Sequence, residues 1–312
     1  MGISEESLKK TIKEHPHAKA VFVINPTYYG AVSDLKAIVR AAHRHEMAVL
    51  VDEAHGAHMS FHDDFPLTAM EVGADMSASS MHKTSGSMSQ SSVLLLRSDV
   101  ISPERVRQVL SLTHTPSASY VLMCSLDVAR KQMATNGDEL LEETLELARW
   151  ARDAINTIEG LNAFGKELIG TPGCFDFDET KLSIHVAGIG YTGYQIETIL
   201  RRDYNIQIEL SDMKTERVTV THSVAIPKSP EMLVSPRSAF YSPKKVVALE
   251  DSIGEIAGEM VMAYPPGIPV ICMGERISKE IVAYIQLLKE QNCELHGMAD
   301  PLVNHLRVLG TN

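Results

Sequence analysis

Residues 48–58 read Ala-Val-Leu-Val-Asp-Glu-Ala-His-Gly-Ala-His, a short apolar run that ends on two carboxylates and then breaks at Gly56. Four consecutive apolar residues closed by polar and glycine punctuation predict a buried strand. Charged groups at the carboxyl end of such a strand stand where an open α/β sheet binds its ligands. The neighbouring segments repeat the construction. Residues 20–24 (AVFVI) form another apolar run, closed by Asn25-Pro26-Thr27. Between the two runs, Ser33 or Asp34 offers an N-cap, followed by Leu35, Ile38, Val39 and Ala42 at helical spacing. Residues 75–80 and 92–96 supply a third and a fourth strand, the third leading into Met81-His82-Lys83-Thr84. Strands alternating with a helix predict a mostly parallel sheet of βαβ units within residues 1–137, the major domain of an α/β protein.

Beyond it the pattern changes. Leu141, Leu145, Ala148, Ala151 and Ile155 share one helical face, and Gly160 is a natural stop, so residues 138–160 are expected to form a bridging helix. Period-two alternation in Leu182-Ile184-Val186, Ile206-Ile208-Leu210 and Val218-Val220, with a helix near 194–202, predicts a smaller α+β domain over 161–230. Residues 231–312 are expected to be mainly helical, with helices at 249–262 and 278–290.

At 312 residues the chain exceeds what one hydrophobic core comfortably fills, which agrees with two domains. The 29 basic and 40 acidic residues leave a net charge of −11 with no basic run, which argues against duplex nucleic acid or an anionic membrane as partner. No apolar run reaches the ~20 residues of a membrane span and the first 17 residues are polar, so a cytoplasmic location is expected. Cys124, Cys174, Cys272 and Cys293 stand apart, without metal-ligand or disulfide spacing, and read as reduced thiols.

Two patterns imitate other chemistries. Asp52-Glu53-Ala54-His55 spells a helicase-like box, and residues 160–166 (GLNAFGK) approach a phosphate-binding loop. The loop, however, needs Ser or Thr after its lysine to hold Mg²⁺ and has Glu167 instead, and the order of the two motifs is reversed. His55, His58 and His62 lack an HExxH frame and follow a strand, so they read as hydrogen-bonded loop histidines, and no metal is expected.

The constellation that carries chemistry joins Asp52, at the end of one strand, to Lys83, just past the next. One βα crossover separates them, so both side chains can face one pocket. An amine able to form a Schiff base and a carboxylate able to hold a pyridinium protonated are two requirements of pyridoxal 5′-phosphate catalysis. Several segments resemble, in order and spacing, the ornithine/lysine/arginine decarboxylases of pyridoxal-phosphate fold type I. They are Pro26-Thr27-Tyr28-Tyr29-Gly30, residues 52–58, Ser80-Met81-His82-Lys83-Thr84, Thr115-Pro116-Ser117-Ala118-Ser119-Tyr120 with Ser125-Leu126-Asp127, and residues 263–269 (AYPPGIP) with Gly274-Glu275.

That resemblance implies a partial fold type I major domain with a smaller α+β C-terminal domain. It further implies that Lys83 carries the cofactor covalently, Asp52 pairs with its ring nitrogen and Ala54 lies against the ring face. Ser80 and His82 would contact the phosphate, and Thr27 and His55 the neighbourhood of the ring hydroxyl. Ser117 to Tyr120 would reach the site across a homodimer or larger homo-oligomer. The reaction implied is loss of CO₂ from a small cationic amino acid, with Lys83 or His82 returning a proton to Cα. Arginine comes first as substrate because the chain resembles the shorter members without an N-terminal regulatory wing, and lysine and ornithine stay open. Glu209, Asp212 and Glu275 are the candidate partners of the substrate's side-chain cation. Family members also carry, before the strand at 20–24, a segment with a phosphate-cradling loop and a stacking aromatic, which this sequence does not supply, and a longer stretch where residues 223–234 stand here. The departures imply an exposed apolar sheet edge and weakened cofactor binding, and they keep open an inactive or split-enzyme fragment that pairs with a complementary chain. Another fold type I activity, such as an aminotransferase, is the third reading.

Overall fold

The computed structural model describes residues 2–211, 229–264, 268–291 and 293–310. They fall into two units, residues 1–185 and 186–312.

The first unit begins with helix α1 (Glu5–Glu14), capped by Ser4, whose Leu8 and Ile12 are buried. The order then runs β1 (Ala20–Ile24), β2 (Ala31–Val32), α2 (Leu35–His43), β3 (Ala48–Asp52), β4 (Met76–Ser79), α3 (Met81–Thr84), β5 (Val93–Leu96), α4 (Pro103–Thr113) and α5 (Tyr120–Asn156), and ends with β6 (Asn162–Phe164), β7 (Asp176–Phe177) and β8 (Ser183–His185). The main sheet has the order β1-β3-β4-β5. Its first three strands are parallel and β5 closes it antiparallel to β4. The βαβ reading of the sequence therefore holds for three of the four strands.

Alternation along the strands gives the sheet two unlike faces. Val23, Val49 and Val51 point under the sheet, where Leu35, Ile38, Val39 and Ala42 of α2 and the apolar side of α1 cover them. Asp34 starts α2 by accepting the Ala37 N–H at 2.8 Å. On the other face the register aligns Ile24, Asp52, Ala78 and Leu94 in one row across four strands. Phe22 is 64% exposed and Ile24 54%, so the apolar surface left open is this face as well as the β1 edge.

Helix α5 starts at Tyr120 under a Ser119 cap, 18 residues before the stretch that the apolar face of 141–155 marks out. Its first turns are largely exposed and carry no apolar stripe, whereas Met133, Leu141 and Leu145 pack on Met59 and Phe65. Near its end the buried Arg152 donates to the carbonyls of Phe164, Glu179 and Lys181, each at 3.0 Å, and fastens the ribbons that follow.

The second unit contains α6 (Gly193–Tyr204), α7 (Pro236–Tyr241), β9 (Lys244–Ala248), β10 (Val261–Tyr264), β11 (Ile268–Ile271), α8 (Lys279–Glu290), β12 (Glu294–His296) and β13 (His305–Leu309). Two antiparallel sheets, β11-β10-β12 and β13-β9, share a core with Ile281, Val282 and Ile285 of α8. Two expectations are corrected here. Residues 206–210 form no strand: Asn205 takes a left-handed conformation as the C-cap of α6, and the Ile206 N–H bonds back to Leu200 O at 2.9 Å, so the alternation belongs to a helix end. Residues 249–262 form no helix, and the 231–312 stretch is mixed rather than mainly helical. Gly254 breaks the chain at positive φ, and Gly258 lies against β13, its N–H on Arg307 O at 2.8 Å. The expected strand at 218–220 lies outside the described residues.

Candidate active site

Three loops meet at the carboxyl ends of β1, β3 and β4. The first is the turn 25–30, closed by Thr27, which accepts the Ala31 N–H on Oγ1 at 3.1 Å while its own N–H bonds to Ala31 O at 2.9 Å. The second is the 53–58 turn. The third is α3, a single turn whose N-cap is Ser80, with the Lys83 N–H on Ser80 O at 3.1 Å.

These loops bring Lys83 and His55 together: Lys83 Nζ lies 3.2 Å from His55 Nε2. The His55 ring leans on Tyr28 with centroids 4.3 Å apart and planes inclined by 54°. Asp52 ends β3 beside Ala78, the strand neighbour that leads into Ser80 and Lys83. Its Oδ1 accepts the Ala54 N–H at 3.0 Å, and no described hydrogen bond engages Oδ2. An amine, a carboxylate, two imidazoles and the hydroxyls of Thr27 and Ser80 thus stand on one rim, a donor set that fits the aldehyde, ring nitrogen and phosphate of pyridoxal phosphate. His82 turns aside, with Nδ1 2.8 Å from Ser91 O, so in its neutral form Nδ1 carries the proton and Nε2 is the basic nitrogen.

The remaining expected residues are not gathered at Lys83. Ser117 lies in the exposed turn between α4 and α5, its N–H on Thr115 Oγ1. Glu275, in the second unit, accepts the Cys272 N–H at 2.7 Å and closes the turn after β11. Glu209, also in the second unit, lines a cavity of about 650 Å³ with Tyr191, Tyr194, Cys293 and Glu294. Asp212 lies outside the described residues. Among the described residues, no group of three His, Cys, Asp or Glu side chains is placed to hold a metal ion, and no helix is long and apolar enough to cross a membrane.

Sequence reasoning missed two things. It gave no role to the Tyr28 ring beside His55, for which the spacing of aromatic residues carries no signal. It also left Glu53 undistinguished from Asp52. Strand alternation separates them: Asp52 is on the open face and Glu53 is buried beneath the sheet, accepting the Ala69 N–H at 2.7 Å and the Ser77 hydroxyl at 2.8 Å. Burial pushes the Glu53 carboxyl up to about 7 against the pull of those hydrogen bonds.

Because the folded value lies above the unfolded one, the native state holds more protons between about pH 4.5 and 7. Stability from this group is therefore full below that window and falls across it, by about 3 kcal/mol in all. Glu53→Gln should flatten the fall in thermal midpoint between pH 5 and pH 8, and should stand several degrees above wild type at pH 8. Parallel midpoint curves for the two proteins would show that Glu53 does not titrate in this window.

A lysine and an aspartate at the carboxyl ends of adjacent parallel strands define the class: the first unit is a partial fold type I major domain. Residues 1–216 match the family model for the Orn/Lys/Arg decarboxylase major domain, and residues 216–302 match that for its C-terminal domain. The chain belongs to the Orn/Lys/Arg decarboxylase family. It is 42% identical to an arginine decarboxylase of Bacillus subtilis and 43% identical to one of Halalkalibacterium halodurans, each over 99% of this chain and 69% of the relative. Lysine decarboxylase A from Pseudomonas aeruginosa shares the fold with a TM-score of 0.75 at 17% identity, and the constitutive lysine decarboxylase of Escherichia coli with 0.70 at 15%. The chain is covered to 99% in both comparisons and spans about 60% of the length of those two structures.

Proposed function

We propose that this chain carries the pyridoxal-phosphate-dependent decarboxylation of a basic amino acid, with arginine as substrate before lysine or ornithine. The observation that carries the reading is the Lys83 amine set 3.2 Å from His55 beyond the strand next to Asp52. The likeness to arginine decarboxylases supports the order of substrates.

Pyridoxal phosphate supplies, when bound, an aldehyde for an amine and an electron-withdrawing ring. Everything else falls to the chain. Lys83 offers the amine, and His55 beside it accepts and returns its proton. Asp52 holds positive charge at the end of β3, and the small Ala54 leaves space above the same strand end. Thr27 and His55 serve the ring-hydroxyl side, and Ser80 and His82 the phosphate. Lys83, or His82 through Nε2, delivers the proton that replaces the lost carboxylate at Cα. Ser117 acts from a second copy of the chain in a homodimer or larger assembly. Glu209, Asp212 and Glu275 are the carboxylates available to the substrate's cationic end.

The exposed Phe22 and Ile24 on the face that holds Asp52 favour one further reading, in which a complementary chain covers this face and completes the site. The test is product analysis with equal concentrations of arginine, lysine and ornithine plus pyridoxal phosphate. Agmatine is expected to form at least about tenfold faster than cadaverine or putrescine, the discrimination that one buried polar contact supplies. Equal rates would remove arginine from first place, and no amine from any of the three would remove the decarboxylase reading for this chain alone.

A further inference from the structure

His58, the second histidine of the 52–58 motif, has no part in the chemistry above, yet it is more deeply buried than His55. Its side chain is 3% exposed and its Nε2 lies 3.2 Å from Asp178 Oδ2, on a carboxylate with no exposure at all. The ring stands edge-on to Phe65, with centroids 4.8 Å apart at 89°. Neither ring nitrogen meets another hydrogen-bond partner among the described residues, so Asp178 is what His58 is built to face. A buried imidazole and carboxylate leave water only where each compensates the other.

The two residues belong to different loops of the site. His58 closes the turn that carries Ala54 and His55. Asp178 directly follows β7, the partner of β2, and its N–H bonds to Gly30 O at 2.9 Å, at the end of the turn that carries Thr27 and Tyr28. Its Oδ1 accepts the Thr180 N–H at 3.0 Å and hydroxyl at 2.6 Å, which leaves Oδ2 to His58, with Lys181 Nζ farther off at 3.9 Å. Burial acts to raise the Asp178 carboxyl, but the His58 bond and charge, with Lys181, hold it below the usual carboxylate range. Gly30 has φ +94°, and a Cβ there would meet Asp178 O and Lys181 Cβ at 2.9 Å, so this turn seats against the Asp178 loop without slack.

We propose that His58 and Asp178 form a positioning pair that sets the distance between the Tyr28 turn and the His55 turn, and so places the His55 imidazole against Lys83. The inference rests on the reading of Lys83 as the cofactor lysine, and its test separates the two. In the full chain, His58→Gln keeps a donor that reaches Asp178, whereas His58→Asn is equally polar but too short. The readouts are the ring-to-ring nuclear Overhauser effect between Tyr28 and His55, measured without cofactor, and the rate of Lys83 labelling by pyridoxal phosphate with borohydride. His58→Gln should stay within about twofold of wild type in both, while His58→Asn should lose the ring contact and label about tenfold more slowly, as befits one lost hydrogen bond to a charged group. Asp178→Ala should reproduce His58→Asn. Wild-type ring contact and labelling in folded His58→Asn or Asp178→Ala would overturn the proposal, whatever happened to thermal stability. Should wild-type Lys83 fail to label at all, the cofactor reading falls and the ring contact alone decides the pair.

Discussion

Lys83→Ala is expected to abolish borohydride-stable attachment of pyridoxal phosphate at residue 83 and to lower decarboxylation by on the order of 10³-fold or more, the scale on which a covalently acting group is lost. The thermal midpoint should change little. Lys83 is exposed, and its removal strips no buried group of a sole partner, since His55 keeps its contact with Tyr28. Lys83→Arg should not rescue the loss, because a guanidinium remains protonated and offers no free amine. Peptide mass spectrometry after reduction checks the first expectation, and amine release the second. Labelling of the Lys83→Ala protein at the wild-type level, on any other lysine, would move the cofactor away from α3 and sink the assignment. Scattered labelling at wild-type Lys83 and elsewhere alike would instead mean that the rim does not assemble in this chain alone.

The strands and the site were not equally legible in the sequence. Apolar runs closed by polar turns locate β1, β3, β4 and β5 to within a residue or two, because in a covered sheet burial leaves little choice of side chain. The direction of β5 was not legible. Leu94 and Leu95 suit a parallel or an antiparallel edge equally, and only the short connection from α3 decides it. In the second unit, alternation at 206–210 and an apolar stretch at 249–262 misled, because a helix C-cap and two glycines governed the backbone there. At the site, Lys83, Asp52 and His55 were found because their chemistry is bound to a motif. The His58–Asp178 pair spans 120 positions of sequence and was invisible, since no periodicity links a loop histidine to the residue after a two-residue strand. Sequence signals in this chain are local, whereas the contacts that fix the rim are not.

Asp52→Asn is the change that isolates charge from shape. The amide oxygen can keep the Ala54 N–H bond now made by Oδ1, so the 53–58 turn and the fold should be preserved, with a thermal midpoint near that of wild type. What disappears is the negative charge at the carboxyl end of β3, on the open face beside Ala78. If that charge stabilises a protonated pyridine nitrogen, its loss removes a fixed electrostatic partner from the point where positive charge must be held, and the rate should fall about 10²-fold or more. Lys83 should still label, because the amine is untouched. The neighbouring Glu53→Gln supplies the contrast: it lies on the covered face, changes stability with pH, and should leave the rate at its optimum unaltered. A rate for Asp52→Asn within about threefold of wild type would mean that the ring nitrogen is not held at β3. A collapse of stability in Asp52→Asn without loss of rate per folded molecule would make Asp52 a loop cap alone. Adjacent carboxylates on opposite faces thus divide into one that answers to pH through stability and one that answers through catalysis, and the two variants read those effects separately.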